Sequence, residues 1–285
     1  MATRTPNAAL GSFLRSRRDR LTPARAGITP FPGARRVPGL RKDELAVLAG
    51  ISPDHYSRLE QGRQTTLSDD MCDALARALR LDEIERRHLR ALAKPAPRGV
   101  AWERPQRPEP GLLRVMTALD HLPALLLGRR AEVLARNALL DTVLGQTFEP
   151  GASFVRWLLL DPAARERILN WEDFARAAVG GLRYETGRHP QDRKLTELVG
   201  QLREGAPQVA EWWDDHRVTD QSSVTKRLAH PAAGQLEFDI EAVTLPHCPD
   251  QRLVIYTVEV GSPTARVLPL LSSWTPEPRP GAQRT

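Results

Sequence analysis

Residues 40–62 read LRKDELAVLAGISPDHYSRLEQG, two short amphipathic segments set back to back across a single glycine. Leu45 and Leu48 mark one face of the first segment, and Gly50 supplies a left-handed stop. Ser52 can cap a second helix, with Pro53 in its first turn, where no backbone N–H is needed. Tyr56 and Leu59 lie three apart and turn inward, so Asp54, His55 and Arg58 point outward. A pair of helices that only filled a core would not need so polar a start. Joined by a tight Gly turn, the first helix can rest across a phosphate backbone while the second lies in the major groove of double-stranded DNA. Pro53, Asp54, His55 and Arg58 are then the base-reading candidates. Arg58 can donate two hydrogen bonds to a guanine edge, and Asp54 can accept one from cytosine N4. Arg41, Lys42, Ser52 and Arg63, with Arg35 and Arg36 upstream, suit phosphates, which position a domain without reading sequence. The plainer alternative is a helical hairpin whose charges are simply solvated.

The distribution of charge favours DNA. Residues 1–95 hold 18 Lys and Arg against 11 Asp and Glu, whereas residues 96–285 hold 23 against 24, so the excess of +6 lies wholly at the N-terminal end. A positive field confined to one end suits a polyanion, while the remainder does something electrically neutral. The 285 residues leave room for two domains at roughly 100–200 residues each. No run approaches the ~18 apolar residues of a membrane span. The opening MATRTPNAALGSFLRSRRDR lacks the apolar core of a signal peptide, so a cytoplasmic protein is expected. Cys72 and Cys248 are far apart and carry no paired spacing, so neither a disulfide framework nor a metal site is indicated.

Along the chain, Leu10, Phe13 and Leu14 sit at helical spacing, and the proline- and glycine-rich residues 21–39 read as loop. Further helices are expected from Ser68 and from Asp82, whose reciprocal cap is Glu85. The result is an all-α domain of about five helices over residues 1–93. Residues 94–110, with five prolines, form a linker. Beyond it, PALLLGRRAEVLARN offers a hairpin, residues 137–216 are mainly helical, and 223–260 return to strands. Leu236, Phe238 and Ile240 alternate there with Glu237, Asp239 and Glu241. A helix near Thr264–Ser272 closes an α+β domain over 111–272, and 273–285 form a disordered tail.

The segment GLRKDELAVLAGISPDHYSRLEQGR resembles the helix-turn-helix of Xre/Cro-type repressors through L-x-x-x-x-L-A-x-x-A-G-I-S and S-R-L-E-x-G. With LLLDPAARE, GRHPQDRKL, TKRLAHPAAGQLEFDIEA and PDQRLVIYTVEVGSPTA, the chain from 8 to 272 is similar to actinobacterial regulators with an MmyB-like ligand-binding domain. That resemblance implies a PAS-like sensor fused to a DNA reader, with a fatty-acid-like small molecule as the class of ligand. Two departures bear on specificity. His55-Tyr56 stands where the family commonly has Y-Y, and Ala135-Arg136-Asn137-Ala138 where it commonly has A-W-N-P.

Arg136 and Asn137 thus join the ligand-site candidates, together with the aromatic residues Trp157, Trp171, Phe174 and Trp213 and the neighbouring His216. Each of the aromatics has an equally physical role as core. Lys226, Arg227 and His230 can receive a ligand carboxylate or merely decorate a strand. Catalysis lacks support: no G-x-S-x-G elbow, G-x-x-x-x-G-K-[ST] or G-x-G-x-x-G is present, and no cofactor is expected. The expectation is a homodimeric transcription regulator that senses a hydrophobic or amphipathic ligand. The alternative is a regulator whose C-terminal domain serves only dimerisation or protein contacts.

Overall fold

The computed structural model describes residues 7–29, 31, 37–64, 66–93, 105–215 and 224–273. Arg35, Arg36, His216, residues 94–104 of the expected linker and the tail from 274 lie outside the described residues. The chain forms two compact units. One comprises residues 1–103 with 179–199 and 210–220; the other comprises 104–178 with 200–209 and 221–285.

In the first unit, α1 (Ala8–Arg20) starts where the Asn7 side chain accepts the Leu10 N–H at 3.3 Å, and it buries Leu10, Phe13 and Leu14. The segment 21–39 is not all loop. Thr22 caps and Pro23 opens a one-turn helix, α2 (Pro23–Ala26), because Thr-Pro is itself a helix start. α3 (Lys42–Ala49) begins after Arg41, whose backbone N–H is bonded by the Glu44 carboxylate at 2.7 Å, and stops at Gly50 with φ 67°. α4 (Pro53–Glu60) is capped by the Ser52 hydroxyl, which accepts the His55 N–H at 3.1 Å. α5 (Asp69–Ala78) is capped by Ser68, and α6 (Glu83–Ala93) by the expected reciprocal pair of Asp82 and Glu85. Leu40, Leu45, Tyr56, Leu59, Leu75 and Leu89 are fully buried in the core that these helices share with α1.

The second unit opens with α7 (Pro110–Ala118), which the proline-rich composition hides: Pro110 belongs to the proline run and also suits a first helical turn. β1 (Ala124–Leu127) and β2 (Val133–Arg136) form the expected hairpin. The chain continues through α8 (Ala138–Leu144), α9 (Phe154–Leu160), α10 (Pro162–Arg167), α11 (Trp171–Arg188), α12 (Arg193–Gly205) and α13 (Pro207–Asp214), of which residues 179–199 and 210–214 belong to the first unit. The chain then returns to strands in β3 (Val224–His230), β4 (Gly234–Leu245) and β5 (Cys248–Thr257), and α14 (Pro263–Ser272) follows. All strands pair antiparallel in the order β2-β1-β5-β4-β3, so the early hairpin joins the late meander along β1 and β5. On β4, Leu236, Phe238 and Ile240 are buried while Glu237, Asp239 and Glu241 are exposed, as the alternation requires. α7 packs Leu112 and Met116 against Ala124, Leu126, Leu253 and Ile255. The outer edge of β3 is closed by Asn170, whose amide donates to the Thr225 carbonyl and accepts from the Arg227 N–H.

α1 crosses the end of α4 without room for a side chain: a Cβ on Gly11 would lie 2.3 Å from the carbonyl oxygen of Glu60. Gly11→Ala is therefore expected to cost ~1–3 kcal/mol. The check is the thermal midpoint of the helical circular-dichroism signal, and an unchanged midpoint would show that the two helices do not approach this closely.

Candidate functional site

The N-terminal half of α4 faces solvent. Ser52, Pro53, Asp54 and Arg58 are exposed, and Ser57 is half-buried. Arg58 and Asp54 form an (i, i+4) ion pair at 3.1 Å, with 55% and 79% of their side chains exposed. In water such a pair contributes little, so the Arg58 guanidinium can exchange its partner for another acceptor. His55 is half-buried, and its Nε2 is 2.9 Å from the Gln64 Oε1. On the adjoining side, Lys42 Nζ is 3.5 Å from Ser57 Oγ, which also lies 3.4 Å from Gln61 Nε2. Arg63 is exposed just past the helix, whereas Arg41 is half-buried at the start of α3. Arg58, Asp54, Ser52 and Arg63 thus lie on or beside α4. Ser57, Gln61 and Gln64 join this polar group and are less obvious from sequence, although Ser57 and Gln61 stand at helical spacing from Asp54.

What holds this face is underneath it. The Glu60 side chain has no exposed surface, and its carboxylate accepts from the Arg18 Nε at 2.5 Å and Nη2 at 3.4 Å. Arg18 Nη1 donates to the Leu40 carbonyl at 2.7 Å, so one guanidinium ties α1 to α4 and to the entry of α3. Burial by itself would lower the Arg18 pKa, but the hydrogen bond and charge of Glu60 outweigh it and raise it above its ordinary value. Arg17 is buried as well and pairs with Glu85 at 2.6 Å. Two of the cations in the N-terminal charge excess, Arg17 and Arg18, are thus internal. Removing Arg18 leaves the buried Glu60 carboxylate with only the longer ion pairs to Lys42 at 3.5 Å and Arg15 at 3.9 Å, so Arg18→Met should cost up to ~3–5 kcal/mol in urea unfolding. The double variant Arg18→Met/Glu60→Leu should recover most of that loss, and equal losses in the two variants would contradict a charge-paired clamp.

In the second unit, the inward row of β3 is Lys226, Leu228 and His230, and Arg227 faces out toward Glu237. Lys226 is 2% exposed. Its Nζ bonds the Tyr256 hydroxyl at 2.9 Å and lies 4.7 Å from the ring centroid of Phe174, 4.9 Å from that of Tyr256 and 5.5 Å from that of Phe154. No ion pair to Lys226 occurs among the described residues, and burial pushes its pKa down to about 7. Phe154 also packs on Trp157, at 5.4 Å between centroids. Trp157 in turn lines a cavity of about 330 Å³ with Leu144, Gln146, Glu166, Arg167 and His230. The Trp157 indole N–H is buried and has no hydrogen-bond partner among the described residues. Burial lowers the His230 pKa; Nδ1 accepts from the Ala232 and Ala233 N–H groups, which leaves Nε2 to donate to the Thr142 carbonyl.

The other candidates of this unit disperse. Asn137 caps α8, accepting from Leu140 and Ala124 and donating to the Leu122 carbonyl at 2.6 Å. Arg136 donates to the Phe148 carbonyl at 2.6 Å and pairs with Asp141 at 3.0 Å. Burial nevertheless pushes the Asp141 carboxyl up to about 6. The Trp171 indole donates to the Leu158 carbonyl at 2.6 Å, and the Arg165 guanidinium stacks on its ring. Trp213 belongs to the first unit, with Arg183 over its ring at 4.5 Å. Phe174 and Trp157 therefore remain near the buried amine, and Lys226 joins them. The period-two pattern of TKRLAH is the signal that places Lys226 on the inner face.

A short helix that presents an exposed polar first turn, follows a Gly-stopped partner and is anchored from beneath is the arrangement of a helix-turn-helix DNA-binding unit, here followed by an α+β domain. Residues 9–89 match the model of the helix-turn-helix domain family. Residues 108–271, more than half of the chain, match the MmyB-like transcription regulator ligand binding domain. The chain belongs to this family of transcription regulators and is a DNA-binding regulator. No curated protein matches it significantly, and among the described residues no helix is long and apolar enough to cross a membrane.

The buried amine has a pH signature. An unfolded lysine titrates near ~10.4, so between about pH 7 and that value the unfolded chain binds more protons and stability rises with pH. Relative to Lys226→Met, the wild type should gain up to ~1.4 kcal/mol per pH unit between about pH 7 and 9 in urea unfolding. Parallel pH curves for the two proteins would contradict a desolvated Lys226.

Proposed function

We propose that this cytoplasmic regulator inserts α4 into the major groove as a homodimer and that its C-terminal domain binds a small amphipathic ligand that alters DNA affinity. The observation that supports the first part is the exposed Ser52–Arg58 surface on a helix whose far end is clamped through Glu60. Arg58 reads a guanine edge, and Asp54, released from it, accepts from a cytosine. Pro53 and the half-buried His55 shape the first turn against the bases. Ser52, Lys42, Arg41 and Arg63 engage phosphates, and Arg35 and Arg36 extend that contact along the backbone. One helix reads only a few base pairs, too few to single out an operator among a genome's competing sites, so two copies on a palindrome are needed.

The ligand role is supported by polar groups held in an apolar setting: the Lys226 amine within its aromatic cage and the unpaired Trp157 indole at the cavity wall. An apolar pocket with few polar groups is what orients a small molecule. A ligand shifts DNA affinity only by as much as it prefers one arrangement of the regulator over the other, typically ~1–3 kcal/mol.

Arg58→Ala should relax preference at one base position and cost ~1–3 kcal/mol of operator affinity. Arg63→Ala should weaken all sequences evenly and reduce the slope of log affinity against log salt by about one. Fluorescence anisotropy on operator and scrambled duplexes distinguishes the two. An Arg58→Ala protein with unchanged affinity and base preference would remove α4 from the groove. Sedimentation on operator DNA should show two chains per duplex, and a single chain would contradict the dimer.

A further inference from the structure

We infer that Lys226 is a nucleophile that captures a carbonyl-bearing ligand, an aldehyde or ketone, as a reversible imine, with the Tyr256 hydroxyl as its proton donor and Phe174 as the cover over the amine. This rests on the sensor role proposed above and assigns its chemistry. Three features carry it. The amine lies in an aromatic cage with no ion-pair partner among the described residues, and it donates at 2.9 Å to Tyr256 Oη, a neutral group that can give and take a proton. Of the three rings around it, Phe154 and Tyr256 are buried and only Phe174 is partly exposed, so the approach from solvent runs past Phe174. Phe154 also contacts Trp157, which lines the neighbouring cavity together with Leu144, Gln146, Glu166, Arg167 and His230, so the remainder of such a ligand would meet both apolar and polar groups there.

Without a charged ligand no carboxylate among the described residues pairs with the amine, so its burial favours the neutral form. The neutral amine is the nucleophilic form, and with burial lowering its pKa to about 7 roughly half of it is neutral at neutral pH. The nitrogen lone pair attacks the carbonyl carbon, and the carbonyl oxygen takes the Tyr256 proton. The nitrogen of the resulting carbinolamine still carries both amine protons: one restores the Tyr256 hydroxyl, and the other leaves with the carbinol hydroxyl as water. The C=N bond that remains is hydrolysed by the reverse path. No electrons are gained or lost, and the only by-product is the one water.

The chain has four lysines, and Lys42, Lys94 and Lys194 serve as internal references. The full-length protein is incubated at neutral pH with octanal and sodium cyanoborohydride, and adducts are located by peptide mass mapping. Lys226 is expected to be alkylated at least about tenfold faster than the three reference lysines, because an ordinary exposed lysine is less than ~0.1% neutral at pH 7. Phe174→Ala should speed its trapping and Tyr256→Phe should slow it, with the reference lysines unchanged in both. Adducts on the reference lysines but none on Lys226, or trapping of Lys226 at only their rate, would overturn the inference on the wild-type protein alone, whatever the folding of the variants. Melting with sodium octanoate separates the two proposals. A raised midpoint without Lys226 adducts would overturn imine capture and leave ligand sensing standing, whereas no shift and no adduct would remove both.

Discussion

The Glu60 carboxylate is sealed from solvent at the end of an eight-residue helix, and the Arg18 guanidinium meets it at 2.5 Å. A helix of two turns is too short to hold its own shape in water, since nucleation is unfavourable and propagation has little length to recover it. A carboxylate near a helix C-terminus also opposes the helix dipole. Both difficulties are met by one residue of α1. Arg18 neutralises Glu60 and, through the Leu40 carbonyl, fixes the chain entering α3. Gly11 lets α1 lie directly on the Glu60 backbone. The orientation of Asp54, Ser57 and Arg58 toward solvent follows from that contact, because Tyr56 and Leu59 have no other way to face the core. A buried ion pair of this kind is poor evidence of extra stability but a strong constraint on geometry, since misplacing either partner strands a charge.

The second unit uses buried charge differently. There the sheet brings Lys226 of β3 beside Phe238 of β4 and within reach of Tyr256 on β5, and no carboxylate pairs with it among the described residues. An amine placed so is costly to keep charged, and a packed core would be served better by leucine. His230, four residues further along the same face, shows the contrasting solution, with each ring nitrogen satisfied by backbone groups. Side by side, the two residues mark which polar group of the sheet is structural and which is held ready for chemistry.

Periodicity made much of the architecture legible. Caps at Ser52, Ser68 and Asp82, the stop at Gly50 and the alternation of β4 are local devices, each fixed by a few adjacent residues. α2 and α7 are harder to see because proline both breaks helices and begins them, so Thr22-Pro23 and Pro110 hide inside segments whose composition says loop. At the site, the outward positions of α4 follow from the inward ones. The clamp does not, because nothing local distinguishes Arg18 from the exposed arginines around it; its role arises from a partner 42 residues away. Trp171 and Asn137 show the converse: polar handles that look available in sequence are already bonded to backbone carbonyls in the fold.

The central claim is that the clamped α4 reads sequence. Its most direct test is selection of genomic DNA fragments by the purified full-length protein at physiological salt, followed by affinity measurement on the enriched motif. One palindromic motif should emerge, with half-sites ~10 base pairs or a multiple apart, bound ~10³-fold or more tighter than unrelated DNA. Recovery of fragments without a shared motif, at affinities no better than those of random duplex, would contradict it.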